Sequence, residues 1–208
     1  EKIFRFRRIE GRGLENFWSI VKICMNKLHA QKAINVCKTG GVIAYPTEAV
    51  FGLGCIPTFE HSVHRILKLK RRSVRKGLIL IAGEIGQLEE FVDFSKIKNI
   101  KAVFRSWPGP VTWLIPARQM TPIWLTGEHD TLAVRVSSYN LIKLLCAELG
   151  PIVSTSANPS NAYPAKSSQR VRSYFPREID YVIPAKITNN KNPSEIRDAK
   201  TGEILRSS

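Results

Sequence analysis

Four segments of this chain gather side chains that could do chemistry. From Lys68 to Lys76 six of nine residues are basic, and the run leads through Gly77 into the apolar stretch Leu78–Ala82. Charges held at the end of a buried strand suit a polyphosphate clamp, where lysine acts as a point charge and arginine grips two oxygens at once. The alternative is a solvated face. The second segment, Tyr45-Pro46-Thr47-Glu48-Ala49-Val50-Phe51-Gly52-Leu53-Gly54, follows another apolar stretch. In an open α/β sheet, ligands bind beyond the carboxyl ends of strands, where Thr47 would offer a hydroxyl and Gly52 and Gly54 a close backbone approach. The same residues also read as an ordinary glycine-rich turn with Thr47 as a cap. Third, Ser154-Thr155-Ser156-Ala157-Asn158-Pro159-Ser160 packs four hydroxyls and an amide into seven residues. That fits either anion binding at a strand end or N-cap chemistry without a ligand. The fourth pairs Ser106-Trp107-Pro108-Gly109-Pro110-Val111-Thr112, whose Trp107 and prolines read as a rigid turn rather than a base-stacking platform, with Thr131-Leu132-Ala133-Val134-Arg135-Val136. Arg135 is charged in an otherwise apolar strand and needs an anionic partner, either a protein carboxylate or a substrate.

The usual catalytic signatures are missing from the sequence: no glycine-rich phosphate loop, no G-x-G-x-x-G turn, no G-x-S-x-G elbow and no H-E-x-x-H. An enzyme built from these segments works by positioning reactants and neutralising negative charge.

Such side chains need a scaffold, and the pattern supplies an α/β one. Leu28, Ala33, Ile34 and Cys37 have helical spacing up to the Gly40-Gly41 stop; Val42–Tyr45 is a short strand ended by Pro46. A helix over His61–Lys70 places Val63, Ile66 and Leu67 on one face. Leu78–Ala82, Val111–Ile115, Thr131–Val136, Ile152–Thr155 and Tyr181–Ile183 read as core strands, with Glu203–Leu205 at an edge. Helices are expected over Leu141–Leu149 and Ser167–Tyr174. Continuous apolar strands with intervening helices imply a buried, largely parallel or mixed sheet.

Composition bounds the function. In 208 residues, 43% are hydrophobic and 24% charged, enough for a core and incompatible with wholesale disorder. No apolar run approaches the roughly 18 residues that cross a bilayer. The formal net charge of +15 calls for an anionic partner, whether nucleic acid, nucleotide or acidic membrane surface. Cys24, Cys37, Cys55 and Cys146 are far apart and expected to be reduced and packed. His61 and His64 lie one helical turn apart without a third ligand at metal-site spacing. Residues 1–24 read as an extension of unknown role, lacking signal-peptide and transit-peptide character, ahead of a catalytic domain over 25–208. Without a legible sorting signal, the cytoplasm is the expected location.

Taken together, V-I-A-Y-P-T-E-A-V-F-G-L-G, L-K-x-R-x-V-x-K-G-L-I-L, W-P-G-P-V-T, L-T-G-x-x-D-x-L-A-V-R-V, S-T-S-A-N and N-P-S-E-I-R-D resemble the YrdC/TsaC family, the threonylcarbamoyl-AMP synthases. The resemblance runs in register from about Met25 to Arg206. It implies a twisted mixed-sheet domain with a deep, concave, basic site. It also implies the reaction of L-threonine, bicarbonate and ATP to L-threonylcarbamoyl-adenylate and pyrophosphate. Magnesium would travel on the ATP phosphates, with no prosthetic group. The product would feed a separate transferase complex that modifies the adenosine beside the anticodon of tRNA. By this resemblance Thr47, Arg135, Ser156 and Ser194 hold the threonine end, its carboxylate on Arg135. Lys70, Arg72, Lys76, Thr131, Asn158 and Arg206 fall near the ATP phosphates and nucleoside. Lys70 with Arg72 would carry charge neutralisation, so Lys70→Ala or Arg72→Ala should abolish adenylate formation and leave the fold intact.

Three positions depart from the family pattern. Ser73 stands where proline is usual, Asn161 where glycine is preferred, and Thr188-Asn189-Asn190-Lys191 replaces a G-G-R stretch. Asn161 can still take a left-handed turn. The competing readings are a non-catalytic module gripping double-stranded or transfer RNA, and an inactive relative of the synthases.

Overall fold

Alternation along the first strand sets the architecture. In β1 (Ile43–Pro46), Ile43 and Tyr45 enter one apolar cluster, while Ala44, with Val42 before it, enters a second, so the sheet lies between two cores. The computed structural model describes residues 27–188 and 192–207. The extension up to Cys24 lies outside them, as do Asn189, Asn190 and Lys191.

Eight further strands complete a single sheet among the described residues: β2 (Phe51–Gly54), β3 (Ile79–Ala82), β4 (Val111–Pro116), β5 (Thr131–Val136), β6 (Ile152–Ser156), β7 (Tyr181–Val182), β8 (Glu195–Asp198) and β9 (Ile204–Arg206). Their spatial order is β7-β1-β2-β6-β3-β5-β4-β8-β9. The β1–β7, β3–β5 and β4–β8 pairs are parallel and the other neighbours antiparallel. The sheet is therefore mixed, and the largely parallel alternative is set aside.

Among the described residues six helices flank it: α1 (27–38), α2 (Glu60–Lys70), α3 (Ile100–Arg105), α4 (Ile123–Thr126), α5 (Asn140–Leu149) and α6 (Ser168–Tyr174). Ala33, Ile34 and Cys37 of α1 pack with Ile142, Leu145 and Cys146 of α5 against Ile43 and Tyr45. Val63, Ile66 and Leu67 of α2 and Val171 of α6 join the other core. α2 ends on Arg71 in the left-handed conformation (φ 50°), which turns the chain into the basic segment.

Two strands escaped the sequence pattern. β2 is F-G-L-G, whose glycines lower strand propensity, and β8 is E-I-R-D, whose outer residues are charged. Gly52 lines the cleft described below, and both Gly52 and Gly54 have a packing reason besides the close ligand approach expected of them. A Cβ on Gly54 would stand 2.7 Å from the Tyr45 ring and 2.8 Å from the Val153 carbonyl, and one on Gly52 3.1 Å from the same ring. They make room for a fully buried tyrosine whose hydroxyl donates to Ser154 Oγ at 2.8 Å. Gly54→Ala is expected to lower stability by about 1–3 kcal/mol through overpacking, and Gly52→Ala by less. Urea midpoints for the two variants check the order.

Cys37, Cys55 and Cys146 are buried free thiols, and burial pushes the Cys37 and Cys146 thiols up to about 12. The two histidines of α2 have structural partners: His61 Nε2 lies 3.1 Å from the Gly40 carbonyl and His64 Nε2 3.6 Å from Glu60. Among the described residues no helix is long and apolar enough to cross a membrane.

Candidate active site

β5 alternates strictly between core and cleft. Leu132, Val134 and Val136 are buried, while Thr131, Ala133 and Arg135 are only partly covered and floor a cleft of about 1100 Å³. The neighbouring strands add Ile79 and Ile81, Thr112 and Leu114, Ser154 and Ser156. The cleft thus lies over a face of the sheet, whereas the expected place was beyond strand ends. Turns and the edge strands build its walls.

All ten residues singled out above, Thr47, Lys70, Arg72, Lys76, Thr131, Arg135, Ser156, Asn158, Ser194 and Arg206, line this one cleft. Among the described residues, its ionisable lining is five lysines and arginines, two carboxylates (Glu48 and Glu195) and His129.

Lys70, the last residue of α2, is 5% exposed. Its Nζ donates to the Ser156 carbonyl at 2.5 Å, the Asn158 carbonyl at 3.0 Å and Ser156 Oγ at 3.3 Å. Ser160 answers by donating its hydroxyl and backbone N–H to the Lys70 carbonyl at 2.6 and 2.9 Å. Burial, with the neighbouring Arg72 charge, brings the ammonium down to about 8. Lys70 is thus part of the frame of the β6 loop, which qualifies the expectation that its removal leaves the fold intact.

Arg72 is held by its own turn. Nε and Nη2 donate to the Gly77 carbonyl at 3.2 and 3.0 Å, and Nη2 to the Lys76 carbonyl at 3.2 Å. Burial holds its guanidinium below the usual arginine range. Ser73, in place of proline, has φ −62°, the value proline would impose, and caps the Val74–Lys76 turn by accepting from the Arg75 N–H. The turn is fastened to the end of α4 at Gly127 (φ +65°), where a Cβ would fall 2.3 Å from the Arg75 carbonyl.

Thr47 closes the β1–β2 turn: its hydroxyl donates to the Val50 carbonyl at 2.7 Å. Thr47 therefore serves as a turn residue and a cleft residue at once, so the two readings of this segment coexist.

Arg135 has its protein carboxylate. Nη2 donates to Glu48 Oε1 at 2.7 Å and Nε to the Gly109 carbonyl at 2.8 Å. The Trp107–Pro110 turn is the rigid support expected of it, with Trp107 Nε1 donating to the Val111 carbonyl and Trp113 Nε1 to Ser106 Oγ, each at 2.8 Å.

The amide of Asn158 donates to the Pro159 and Ala162 carbonyls at 2.9 and 2.7 Å, leaving its buried Oδ1 without a partner. Asn161 adopts φ +67°, the left-handed turn that asparagine tolerates. At the sheet edge, Ser194 Oγ lies 2.9 Å from Thr112 Oγ1, and Arg206 Nη2 donates to the Ser194 carbonyl at 2.5 Å. Ser194, expected at the threonine end, and Arg206, expected near the ATP, are neighbours. Burial lowers the Arg206 guanidinium.

Glu48 and Thr112 were legible only as letters within the motifs. A period-two reading of V-T-W-L would have put Thr112 on the cleft face with Leu114. Glu48 gave no separate signal.

A family model described as telomere recombination, the Sua5/YciO/YrdC family, matches residues 35–208. The chain belongs to the Sua5/YciO/YrdC family. Sua5/YciO/YrdC relatives named threonylcarbamoyl-AMP synthase include those of Stutzerimonas stutzeri, 48% identical over 85% of this chain and 95% of the relative, and Pseudomonas entomophila, 50% identical with the same coverage. Among solved structures, P. abyssi Sua5 complexed with L-threonine superposes with a TM-score of 0.79 at 28% identity, covering 86% of this chain. The match spans 54% of that longer protein. E. coli YciO shares the Sua5/YciO/YrdC fold at a TM-score of 0.72 and 21% identity, covering 88% of this chain and 91% of that one.

Proposed function

We propose that this chain condenses L-threonine, bicarbonate and ATP into L-threonylcarbamoyl-adenylate and pyrophosphate. The observation that carries the reading is the convergence of side chains from Thr47 to Arg206 on one cleft with more cations than carboxylates, in a chain about half identical to threonylcarbamoyl-AMP synthases. The amine and bicarbonate form an anionic carbamate, whose oxygen attacks the α-phosphorus as the bond to pyrophosphate breaks. Both partners are anions, so the site must hold them in line and offset their repulsion. Lys70, Arg72, Lys76 and Arg206 are assigned to the phosphates, and Thr131 and Asn158 to the nucleotide. Asn158 keeps only an acceptor, Oδ1, which suits a ribose hydroxyl or an amine better than a phosphate oxygen. Thr47, Arg135, Ser156 and Ser194 are assigned to threonine. Magnesium is assigned to the ATP phosphates: the two carboxylates lining the cleft each face an arginine, Glu48 with Arg135 and Glu195 with Arg197, a poor donor set for a protein-held divalent cation.

We further propose a cytoplasmic enzyme, working where ATP and tRNA meet, whose adenylate passes to a tRNA-modifying transferase complex. The +15 charge supports contact with the tRNA itself. The test is pyrophosphate release from purified protein with ATP, magnesium, bicarbonate and L-threonine. Threonine-dependent release with a product of threonylcarbamoyl-adenylate mass is expected. Folded protein that releases none would be the inactive relative or the RNA module.

A pH dependence follows from Lys70. Because its ammonium titrates near 8, the positive charge is present below that pH and is lost as pH rises through it. Turnover at low ATP (kcat/KM) is therefore expected to fall above about pH 8. At saturating ATP the fall should move to higher pH, since bound phosphates favour the charged lysine. A Lys70→Arg variant that retains turnover should lose the limb.

A further inference from the structure

We infer that Glu48 binds the ammonium group of the amino-acid substrate and takes its proton, so that Glu48 and Arg135 together form a receptor for a zwitterion. The inference rests on the synthase reading. An α-amino acid carries its carboxylate and ammonium on one carbon, so its protein partners must be adjacent and of opposite sign. Arg135 Nη2 and Glu48 Oε1 are 2.7 Å apart in the cleft, with side chains 12% and 19% exposed. The other carboxylate of the cleft, Glu195, sits against Arg197 on β8.

Glu48 also has acceptor capacity to spare. A carboxylate offers about four acceptor positions. Oε1 accepts from Arg135 and, at 3.2 Å, from Ser137 Oγ, while Oε2 is buried with no hydrogen-bond partner among the described residues. Leaving a buried carboxylate oxygen unmatched is costly, and an ammonium donor from the substrate would recover that cost. The last torsion of a glutamate is broad, so the carboxylate can turn toward an incoming donor. Glu48 is also next in the chain to Thr47, on the turn that forms this wall.

The chemistry requires a proton acceptor for the substrate ammonium. The substrate ammonium gives one proton to the Glu48 carboxylate, leaving a neutral amine and a carboxylic acid. The amine nitrogen then attacks the bicarbonate carbon: a C–N bond forms, a C–O bond breaks, and the departing hydroxide leaves as water with the second amine proton. The carbamate stays in the cleft, and Glu48 returns its proton to solvent.

The test compares L-threonine with (R)-3-hydroxybutyrate, which keeps the carboxylate and hydroxyl and lacks the amine, by calorimetric titration of the full chain and its Glu48→Gln variant. If Glu48 meets the ammonium, Glu48→Gln weakens threonine by about tenfold or more, the effect of losing a buried charge-assisted bond, while 3-hydroxybutyrate is changed less than about twofold. Parallel weakening of both ligands would reduce Glu48 to a positioning residue for Arg135 and overturn the inference, as would no change in either. If the unsubstituted protein neither binds threonine nor releases pyrophosphate with it, the synthase reading itself fails, an outcome distinct from both.

Discussion

Lys70→Met is expected to slow adenylate formation by about a hundred- to a thousand-fold, the usual effect of removing one preorganised charge from a transition state that develops negative charge. It should also soften the fold, which distinguishes it from an ordinary cleft lysine. The Asn158 carbonyl would lose its Lys70 donor, at about 1–3 kcal/mol for a buried group, and the Ser156 carbonyl would keep only the Asn158 N–H. Methionine keeps most of the side-chain volume, so the loss reports the missing bonds and charge with little cavity term. Arg72→Ala should match Lys70→Met in activity and fall short of it in stability, because Arg72 ties only the Lys76 and Gly77 carbonyls of its own turn. Steady-state pyrophosphate release and urea midpoints read the two effects separately. Near-normal turnover in both variants would remove the phosphate assignment from this pair.

The second large effect is expected from Arg135→Gln. Removing one partner of a mostly buried ion pair leaves Glu48 uncompensated, at about 3–5 kcal/mol. Exposures of 12% and 19% leave little solvent to screen that penalty. Threonine affinity should fall by about a hundred-fold with the loss of a bidentate carboxylate contact. The double variant Arg135→Gln with Glu48→Gln separates the two consequences. It should regain most of the stability and none of the threonine affinity, because a neutral pair restores charge balance and supplies no anion receptor. Thermal unfolding and threonine titration of the three proteins check this; full recovery of binding in the double variant would contradict the assignment.

What the sequence could reveal followed from how local each signal is. β5 was readable because alternation is local, and T-L-A-V-R-V names its own two faces. α2 and α5 were readable from the spacing of Val63, Ile66 and Leu67 and from the Gly150 stop. β2 and β8 were hidden because each is made a strand by its neighbours: β2 lies between β1 and β6, and β8 between β4 and β9. The cleft residues could be collected by motif, yet their partners could not. That Arg135 meets Glu48, 87 positions away, and that Lys70 meets the carbonyls of Ser156 and Asn158, are facts of strand order. The glycines of β2 show the converse: their type was legible, while the buried ring of Tyr45 that requires them was not.

The placement of β8 and β9 bears on how the protein acquires its activity as it folds. One wall of the cleft is the turn after β1, and another carries Ser194 and Arg206 at the far edge of the sheet. β8 joins by settling beside β4, more than 80 residues back along the chain, so this edge cannot form until almost the whole chain is available. A nascent chain that has folded through β7 would hold the basic turn, the β6 loop and the Arg135–Glu48 pair while the edge that brings Arg206 is still unmade. In refolding experiments, catalytic competence should accordingly return only as these non-local pairings close, later than the recovery of helical signal from α2 and α5.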